Sequence, residues 1–371
     1  MKKKLVSVLL CTTMLIGMLA GCGNSSADTS STKETGTETG SESKETSSAE
    51  NETEGTESVP EGNDETVVLK IATILTTGEP AVNQMEAFAQ RVNERSNGSL
   101  EVQVYANSEL YSNAQDIMET IVRGGNVIAF ADPAQMADYV PDYAIMNYPY
   151  IYNSPEDIKT VGLSSWGQEM VDAAAEKGIR VLDSMTTYFG TRQTISKKAF
   201  TNPEEMKGLK CRVPTTPLWV ETLTAMGANP TTIAFSEVYS ALQQGVCDGA
   251  ENPLPSIYAA KLQEVCDYVV MTGHMIAPGG LEMSEEVFQS LSEEQRTILT
   301  EEAMAFAEGT KEEVLSMEEE VLQKMKDEGK EIVEVDIDAF KEACESVQEK
   351  FPEWTDGAYE RVKNIVAGTE N

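Results

Sequence analysis

The chain has 371 residues, with 62 Asp and Glu against 28 Lys and Arg, and a formal net charge of −34. This balance argues strongly against nucleic-acid binding, which needs a basic surface. An anionic small ligand is still possible. A few locally placed arginines would have to bind it, because the overall field of the protein repels it.

The N-terminus has the pattern of a bacterial export signal. Three lysines at positions 2–4 precede an apolar run from Leu5 to Ala20, which is too short for a stable membrane span. The run ends in LAGC at residues 19–22, which resembles a lipoprotein cleavage box and implies that Cys22 is lipidated. The alternative is an ordinary signal peptide with a chance cysteine.

Residues 22–66 are rich in Ser, Thr, Glu and Gly and nearly lack large apolar side chains. Such a segment cannot bury enough surface to offset the entropy of ordering it, so we predict a disordered tether. A lipid and a long tether favour a location on the extracytoplasmic face of the cytoplasmic membrane. The part from Val67 onward is long enough for two α/β lobes with their own cores.

The first half of the folded part alternates between strand and helix patterns. We predict strands at 67–73, 100–105 and 127–131, and helices at 80–96 and 114–123. This order implies a largely parallel sheet, and ligands bind beyond the carboxyl ends of such strands. Asp132 directly follows the third strand and could face a cleft, but before Pro133 it could equally cap a helix.

The middle of the chain repeats the alternation and predicts a second lobe. Strand patterns occur at 187–195, 209–213 and 233–235, followed by an extended run at 246–252, and helix patterns begin after Asn202, at Leu218 and at a predicted Ser236 cap. The alternation at 209–213 places Arg212 and Lys210 on one face and Cys211 on the other.

Residues 292–328 predict one very long helix. Ser292 and Gln295 fit a capping box at its start. At roughly 1.5 Å per residue it would exceed one lobe. It therefore either runs across both lobes or kinks near Gly309.

Cysteine usage gives no metal site. None of the four cysteines beyond the N-terminal region belongs to a CxxC pair, and the single histidine, His274, is distant in sequence. We expect no metal and no cofactor. Free buried thiols are favoured at Cys211, Cys247, Cys266 and Cys344, with a disulfide left open.

Six segments between residues 187 and 274 share a recognisable order and spacing. They are YFGTRQTIS (188–196), MKGLKCRVP (206–214), MGANP (226–230), AFSEVY (234–239), ALQQGVCDGAENP (241–253) and TGH (272–274). Together they resemble the solute-binding subunit of tripartite ATP-independent periplasmic (TRAP) transporters. The likeness extends in weaker form over the rest of the chain from Val67.

The resemblance implies an α/β, two-lobe fold like that of periplasmic binding proteins, with a ligand cleft between the lobes and a long lobe-spanning helix. The expected partners are a small carboxylate ligand and the integral membrane subunits of the transporter, with the protein acting as a monomer. The expected organisation is a lipoprotein signal peptide (1–21), the tether (22–66), lobe I (67–189 with part of 278–317) and lobe II (190–277 with part of 318–371).

The resemblance also implies roles for single residues. Arg212 matches the arginine that clamps the ligand carboxylate, because a guanidinium presents two parallel N–H groups to two carboxylate oxygens. Asn252 matches an amide that completes the carboxylate shell, and Arg192 matches a second arginine. Phe235 matches an apolar wall. Asp132 falls where the sialic-acid branch of the family carries a Glu that contacts ligand hydroxyls.

Two departures bear on the ligand. Thr215 stands where the sialic-acid branch usually has Asn, and Ile74 stands where it has a polar residue. A smaller sugar acid, such as a uronate or aldonate, fits better than sialic acid, and other monocarboxylates remain open. Trp219 could stack on a sugar ring or belong to the core. His274 could touch the ligand or act as a structural hydrogen-bonding residue.

Other functional classes fit less well. An enzyme is disfavoured because the chain has no serine-nucleophile motif, metal cluster or phosphate loop. A glycosidase would need two carboxylates facing one cleft. The binding subunit of an ABC-type transporter or of a sensory system would differ from a TRAP subunit in its partner.

Overall fold

The computed structural model describes residues 66–370. The predicted signal peptide, Cys22 and all but the last residue of the predicted tether lie outside the described residues. Within the described part, no helix is both long enough and apolar enough to cross a membrane.

Ten strands form one mixed sheet in the described part of the chain. They are β1 (Val67–Ala72), β2 (Leu100–Tyr105), β3 (Val127–Ala131), β4 (Ile179–Val181), β5 (Thr187–Ser196), β6 (Lys210–Val213), β7 (Asn229–Thr232), β8 (Gly249–Pro253), β9 (Tyr268–Ser284) and β10 (Glu331–Glu334). Eight of them follow the order β2-β1-β3-β9-β5-β8-β6-β7, and β4 and β10 both pair with β9.

Thirteen α-helices accompany this sheet in residues 66–370. They are α1 (Pro80–Arg95), α2 (Ala114–Val122), α3 (Pro133–Met136), α4 (Pro155–Gly162), α5 (Ser165–Glu176), α6 (Pro203–Met206), α7 (Pro217–Ala225), α8 (Val238–Gln244), α9 (Leu254–Ala259), α10 (Glu285–Ser290), α11 (Glu293–Asp327), α12 (Ile337–Cys344) and α13 (Ala358–Val366). Short 3-10 helices occupy Pro141–Asn147, Phe235–Glu237, Leu262–Glu264 and Val347–Lys350.

The sheet has two parallel ends joined by antiparallel strands, and each end belongs to one lobe. In lobe I, β1 pairs in parallel with β2 and β3. In lobe II, β6 pairs in parallel with β7 and β8. The 17-residue β9 pairs antiparallel with β3 near its end and with β5 along most of its length. Because β9 and β5 run between the two ends, they connect the lobes.

The long helix α11 contributes to the core of each lobe. Its first half packs Leu299 and Phe306 into a cluster with α1, whereas Val321 and Met325 join a separate cluster in lobe II. Ser292 and Gln295 form the predicted capping box. The helix is continuous from Glu293 to Asp327 and reaches both clusters, as the first of the two expected alternatives required. Gly309 lets the side chain of Gln84 on α1 approach the helix closely.

Two sequence-based predictions in lobe II are wrong. The strand expected at 233–235 is absent; β7 lies earlier, and its Pro230 is tolerated because β7 is an edge strand paired only with β6. Residues around Ser236 form a 3-10 turn, and α8 begins after Glu237 with no side-chain cap. Gly245 ends α8 in the left-handed region, which glycine adopts without steric cost.

The four cysteines of the folded part are free. Cys211, Cys247, Cys266 and Cys344 are all buried. Burial raises the pKa of the Cys344 thiol to about 12, so it is protonated at neutral pH. These side chains act as small core residues.

Candidate functional site

A cleft of about 780 Å³ lies between the lobes, at the carboxyl ends of the strands. It is lined from lobe II by segments that follow β6 and β7, and from lobe I by segments that follow β1, β2 and β3. Parallel strands end at a common edge, and loops beyond that edge are the usual place for ligands in such sheets. The sheet order therefore builds this cleft from both lobes.

Arg212 is the one cationic residue among those that line the cleft. It is the third residue of β6 and only 4% exposed. Its Nε donates to the carbonyl oxygen of Ile233 at 2.8 Å, and its guanidinium carbon lies 5.7 Å from the ring centre of Phe235. Within residues 66–370 its two terminal nitrogens have no hydrogen-bond or ion-pair partner.

Burial lowers the pKa of Arg212 to about 10, which still leaves the guanidinium protonated at neutral pH. A buried charge without a partner is unfavourable because it has lost its hydration. The orientation is fixed by the bond to Ile233, so the two free nitrogens are held ready for an anion. This arrangement can bind a carboxylate through two parallel hydrogen bonds.

Asn252 lies on the strand next to Arg212. Arg212 pairs in register with Ala250, and Asn252 is two residues further along β8, so register places Asn252 and Arg212 on one face of the sheet. Asn252 is 7% exposed, and the described residues give its side-chain amide no hydrogen-bond partner. Next to Arg212 there is thus a second polar group that the protein itself does not pair.

Arg192 is held in a buried network on the other face of β8. Its Nη2 donates to Oε1 of Glu251 at 2.8 Å, its Nε donates to the other carboxylate oxygen, and its guanidinium carbon lies 5.3 Å from the centre of the Trp219 ring. His274 Nε2 lies 3.2 Å from Glu251 Oε2, and its Nδ1 lies 2.9 Å from Thr272 Oγ1. Structural partners thus surround Arg192.

Glu251 stays ionised in this network. Burial alone would raise its pKa, but the charge and hydrogen bonds of Arg192, with a further bond from His274, hold the pKa well below its usual range. The negative charge of Glu251 therefore compensates Arg192 in the interior.

Asp132 caps α3, as one of its two predicted roles required. Its side chain accepts from the backbone N–H groups of Ala134 at 2.9 Å and Gln135 at 3.2 Å. Burial raises the pKa of Asp132 to about 6, against the opposing effect of the nearby Arg192 charge. The side chain is half-buried beside the cleft-lining Gln135, so the cap and a ligand contact are compatible.

The structure brings only part of the predicted site to the cleft wall. Arg212, Thr215 and Phe235 line it. Asp132, Arg192, Asn252, Trp219 and His274 do not line it, although the charges of Asp132 and Arg192 interact. Trp219 and His274 are fully buried, Trp219 in the main core cluster.

Sequence reasoning missed most of the lobe I wall. This wall carries hydroxyl, amide and carboxylate groups, namely Ser108, Ser112, Asn113, Gln115, Asp116, Glu119, Gln135, Asp138 and Tyr139. The one available signal was their position, since they follow predicted strands at the same edge as Asp132. No group of three or more His, Cys, Asp and Glu residues in 66–370 could hold a metal ion.

Comparisons with known proteins agree with this architecture. A sequence model of the bacterial extracellular solute-binding protein family 7 (DctP) matches residues 71–353. A solute-binding protein from Chromohalobacter salexigens is 33% identical over 227 residues, which are 60% of this chain and 66% of that protein. The chain thus matches slightly less than two thirds of that relative's length.

Two solved structures align with most of the chain. A TRAP periplasmic solute-binding protein from Ochrobacterium anthropi with bound L-fuconate is 33% identical, with a TM-score of 0.78, covering 81% of this chain and 100% of that one. A Fusobacterium TRAP solute-binding protein with bound sn-glycerol-3-phosphate is 36% identical, with a TM-score of 0.78, covering 82% and 98%. All these relatives are binding proteins. The chain therefore belongs to the bacterial extracellular solute-binding protein family 7, the family of TRAP-type substrate-binding proteins.

Proposed function

We propose that this protein is an extracytoplasmic solute-binding lipoprotein of a TRAP transporter, and that it captures a small sugar acid of the uronate or aldonate type. The observation that carries the proposal is Arg212, a buried guanidinium in the interlobe cleft whose two terminal nitrogens have no partner in residues 66–370.

The carboxylate of the ligand binds Arg212 through two parallel hydrogen bonds. A planar guanidinium matches a carboxylate in this way, and the pair is strong because both partners are charged. The Asn252 amide supplies a further hydrogen bond from the neighbouring strand. Phe235, whose ring centre lies 5.7 Å from the guanidinium carbon, provides an apolar surface for the carbon chain of the ligand.

The hydroxyl groups of the ligand bind the lobe I side. Asp132 accepts a hydroxyl hydrogen bond beside Gln135, and Thr215 contributes a hydroxyl from lobe II. The L-fuconate bound by the Ochrobacterium protein is a sugar acid, which supports this class of ligand. The Fusobacterium protein binds a phosphate ester that has no carboxylate. The choice of a sugar acid over a phosphate ester for this protein therefore rests on the polar groups of its own cleft.

Closure of the lobes removes the bound carboxylate from water. An ion that leaves water needs paired donors, so closure is favourable only around a ligand that satisfies Arg212. The segments that connect the lobes are β5, β9 and α11. Register shifts in β5 between Tyr188 and Gly190 and between Arg192 and Thr194 give this strand the irregular points at which a hinge can bend.

The N-terminal part delivers the protein to its place of action. We propose that Cys22 carries the lipid and that residues 22–66 tether the binding domain to the outer face of the cytoplasmic membrane. A monomer of the binding domain then passes the ligand to the integral membrane subunits of the transporter. A single lipid chain gives only marginal membrane binding, so the complete lipid anchor of a lipoprotein is required.

A ligand screen tests the proposal. Thermal shift against uronates, aldonates and other small acids should identify a ligand that raises the melting temperature, because it binds only the folded state. Calorimetry then compares the best acid with its neutral amide. The acid should bind and the amide should not. Equal binding of the amide would contradict a carboxylate clamp.

A further inference from the structure

The two walls of the interlobe cleft carry opposite charge. Lobe II contributes one cation, Arg212. Lobe I contributes three acids, Asp116, Glu119 and Asp138, and no cation among the residues that line the cleft. The lobe II wall of the cleft is therefore positively charged and the lobe I wall negatively charged.

The three acids differ in how far they are compensated. Glu119 pairs with Arg123 at 2.8 Å across one helical turn of α2, at the protein surface. Asp116 accepts a hydrogen bond at 2.8 Å from the side-chain amide of Asn113, and because this amide is neutral it does not compensate the negative charge. Asp138 has neither a hydrogen-bond nor an ion-pair partner within residues 66–370. At least two of the negative charges are thus not neutralised by the protein.

An acidic wall alone does not indicate a ligand, but Arg212 faces the same cleft. It is 4% exposed, its terminal nitrogens are unpaired, and it therefore marks where the anionic end of a ligand binds. The opposite end of that ligand then faces Asp116 and Asp138. Carboxylates accept hydrogen bonds and repel other anions.

We propose that the cleft selects acids with a single anionic group, whose far end consists of hydroxyl groups, and that Asp116 and Asp138 exclude ligands with a second carboxylate or a phosphate at that end. This inference rests on the proposed function, since it takes the Arg212 clamp as given. Hydroxyl groups donate to the two acids and to the neutral amides Gln115 and Gln135. A second anion instead meets like charges, whose mutual repulsion increases as closure excludes water.

Galactonate and galactarate form a suitable pair of probes. Oxidation of the far CH₂OH of either enantiomer of galactonate gives the same galactarate, so the pair differs only in the far-end group, a neutral hydroxymethyl group in one and a carboxylate in the other. Gluconate and glucarate form a second pair of the same kind. Calorimetry at low and at physiological salt should show the monoacid of at least one pair binding at least about tenfold more tightly than its diacid. The difference should shrink as salt screens the charges.

Charge-neutral variants locate the origin of this selectivity. The double variant Asp116→Asn, Asp138→Asn should reduce the monoacid-to-diacid ratio by about threefold or more. The control double variant Glu86→Gln, Glu109→Gln removes the same charge from exposed lobe I positions outside the cleft wall and should leave the ratio within about twofold. Melting curves verify that the variants fold. Calorimetry of the wild-type protein at low and at physiological salt tests the charge repulsion without any substitution.

Each outcome separates the inference from the proposed function. If monoacid and diacid bind wild type equally, the selectivity is refuted while sugar-acid binding stands. The same holds if the ratio is unchanged in the folded cleft variant or responds equally in the control. If no acid of any kind binds, the proposed function fails and the inference fails with it.

Discussion

The guanidinium of Arg192 and the carboxylate of Glu251 form a two-pronged ion pair inside lobe II, with Nη2 and Oε1 2.8 Å apart. Both side chains are almost inaccessible, at 5% and 1% exposure. The pair joins β5 to β8 at the strand that connects the lobes. A structural function for Arg192 follows directly, whereas its contact with a ligand stays a prediction.

Removal of one partner should therefore destabilise the protein. Arg192→Met leaves the Glu251 charge buried without compensation and should lower the free energy of unfolding by about 3–5 kcal/mol. The double variant Arg192→Met, Glu251→Leu removes both charges and should recover most of this loss. Urea denaturation of the three proteins measures it. A loss below about 1 kcal/mol for Arg192→Met would show that the pair is not needed for folding.

A buried carboxyl in lobe I should make stability depend on pH. Asp183 is fully buried and accepts from Thr187 Oγ1 at 2.6 Å, and burial raises its pKa to about 7. The folded state holds the Asp183 proton more tightly than the unfolded state. The stabilising contribution of this group is therefore complete below the unfolded pKa of about 3.8 and is lost as pH rises through about 7. The loss from this group is up to about 4 kcal/mol.

Asp183→Asn removes that titration and should flatten the decline of the unfolding free energy between pH 4 and pH 8. Urea denaturation across this range measures the slope. Asp356→Asn, at an exposed position, serves as the control and should keep the wild-type profile. An unchanged slope in Asp183→Asn would mean that Asp183 does not titrate as proposed. Burial also raises the pKa of the nearby Glu282, which is expected to supply a residual decline of the same sign.

Gly190 lies where no other residue fits in β5. Its φ is +137°, and an added Cβ would lie 2.6 Å from Cβ of Pro253. Gly190→Ala should therefore destabilise by about 3 kcal/mol or more, since it combines backbone strain with overpacking. Gly329→Ala, at φ +83° with open space around it, should cost only about 1–2 kcal/mol. If the two substitutions lower the melting temperature equally, the contact with Pro253 does not contribute to the cost at Gly190.

The proposed lipid anchor depends on one side chain. Cys22→Ser should block lipidation, and the protein should then be secreted or accumulate as an unprocessed precursor. Cell fractionation with mass analysis of the N-terminus distinguishes these forms from the mature lipoprotein. A variant that is processed and membrane-bound like the wild type would refute the anchor.

Sequence patterns within single segments were enough to predict several strands and helices. β2 and β3 have the predicted bounds, and α1 and α11 begin within one residue of the predicted start, because apolar periodicity and capping residues determine these segments. The strand at 233–235 was misplaced since its apolar residues resemble a strand, whereas β7 has a polar, proline-containing sequence that only its edge position makes possible.

One residue of the candidate cleft was predictable because a motif marked it. Arg212 was identified within a specific block of sequence, and the structure places it in the cleft. The pairing of Arg192 with Glu251 could not be foreseen, because the two residues are 59 positions apart and meet through the register of β5 and β8. The acidic wall of lobe I likewise consists of ordinary surface residues that only the fold brings opposite Arg212.

Titration of the best sugar acid against Arg212 variants tests the central claim most directly. Arg212→Ala removes the two-pronged partner of the carboxylate and should weaken binding by about 2–5 kcal/mol, very roughly 30- to 5,000-fold. Arg212→Lys keeps the charge but lacks the planar geometry, so it should recover only part of the affinity. The control Arg296→Ala, at a partly exposed position on α11 outside the cleft wall, should bind like wild type. If Arg212→Ala keeps the wild-type melting profile and binds within about threefold of wild type, Arg212 is not the clamp and the account is wrong at its centre.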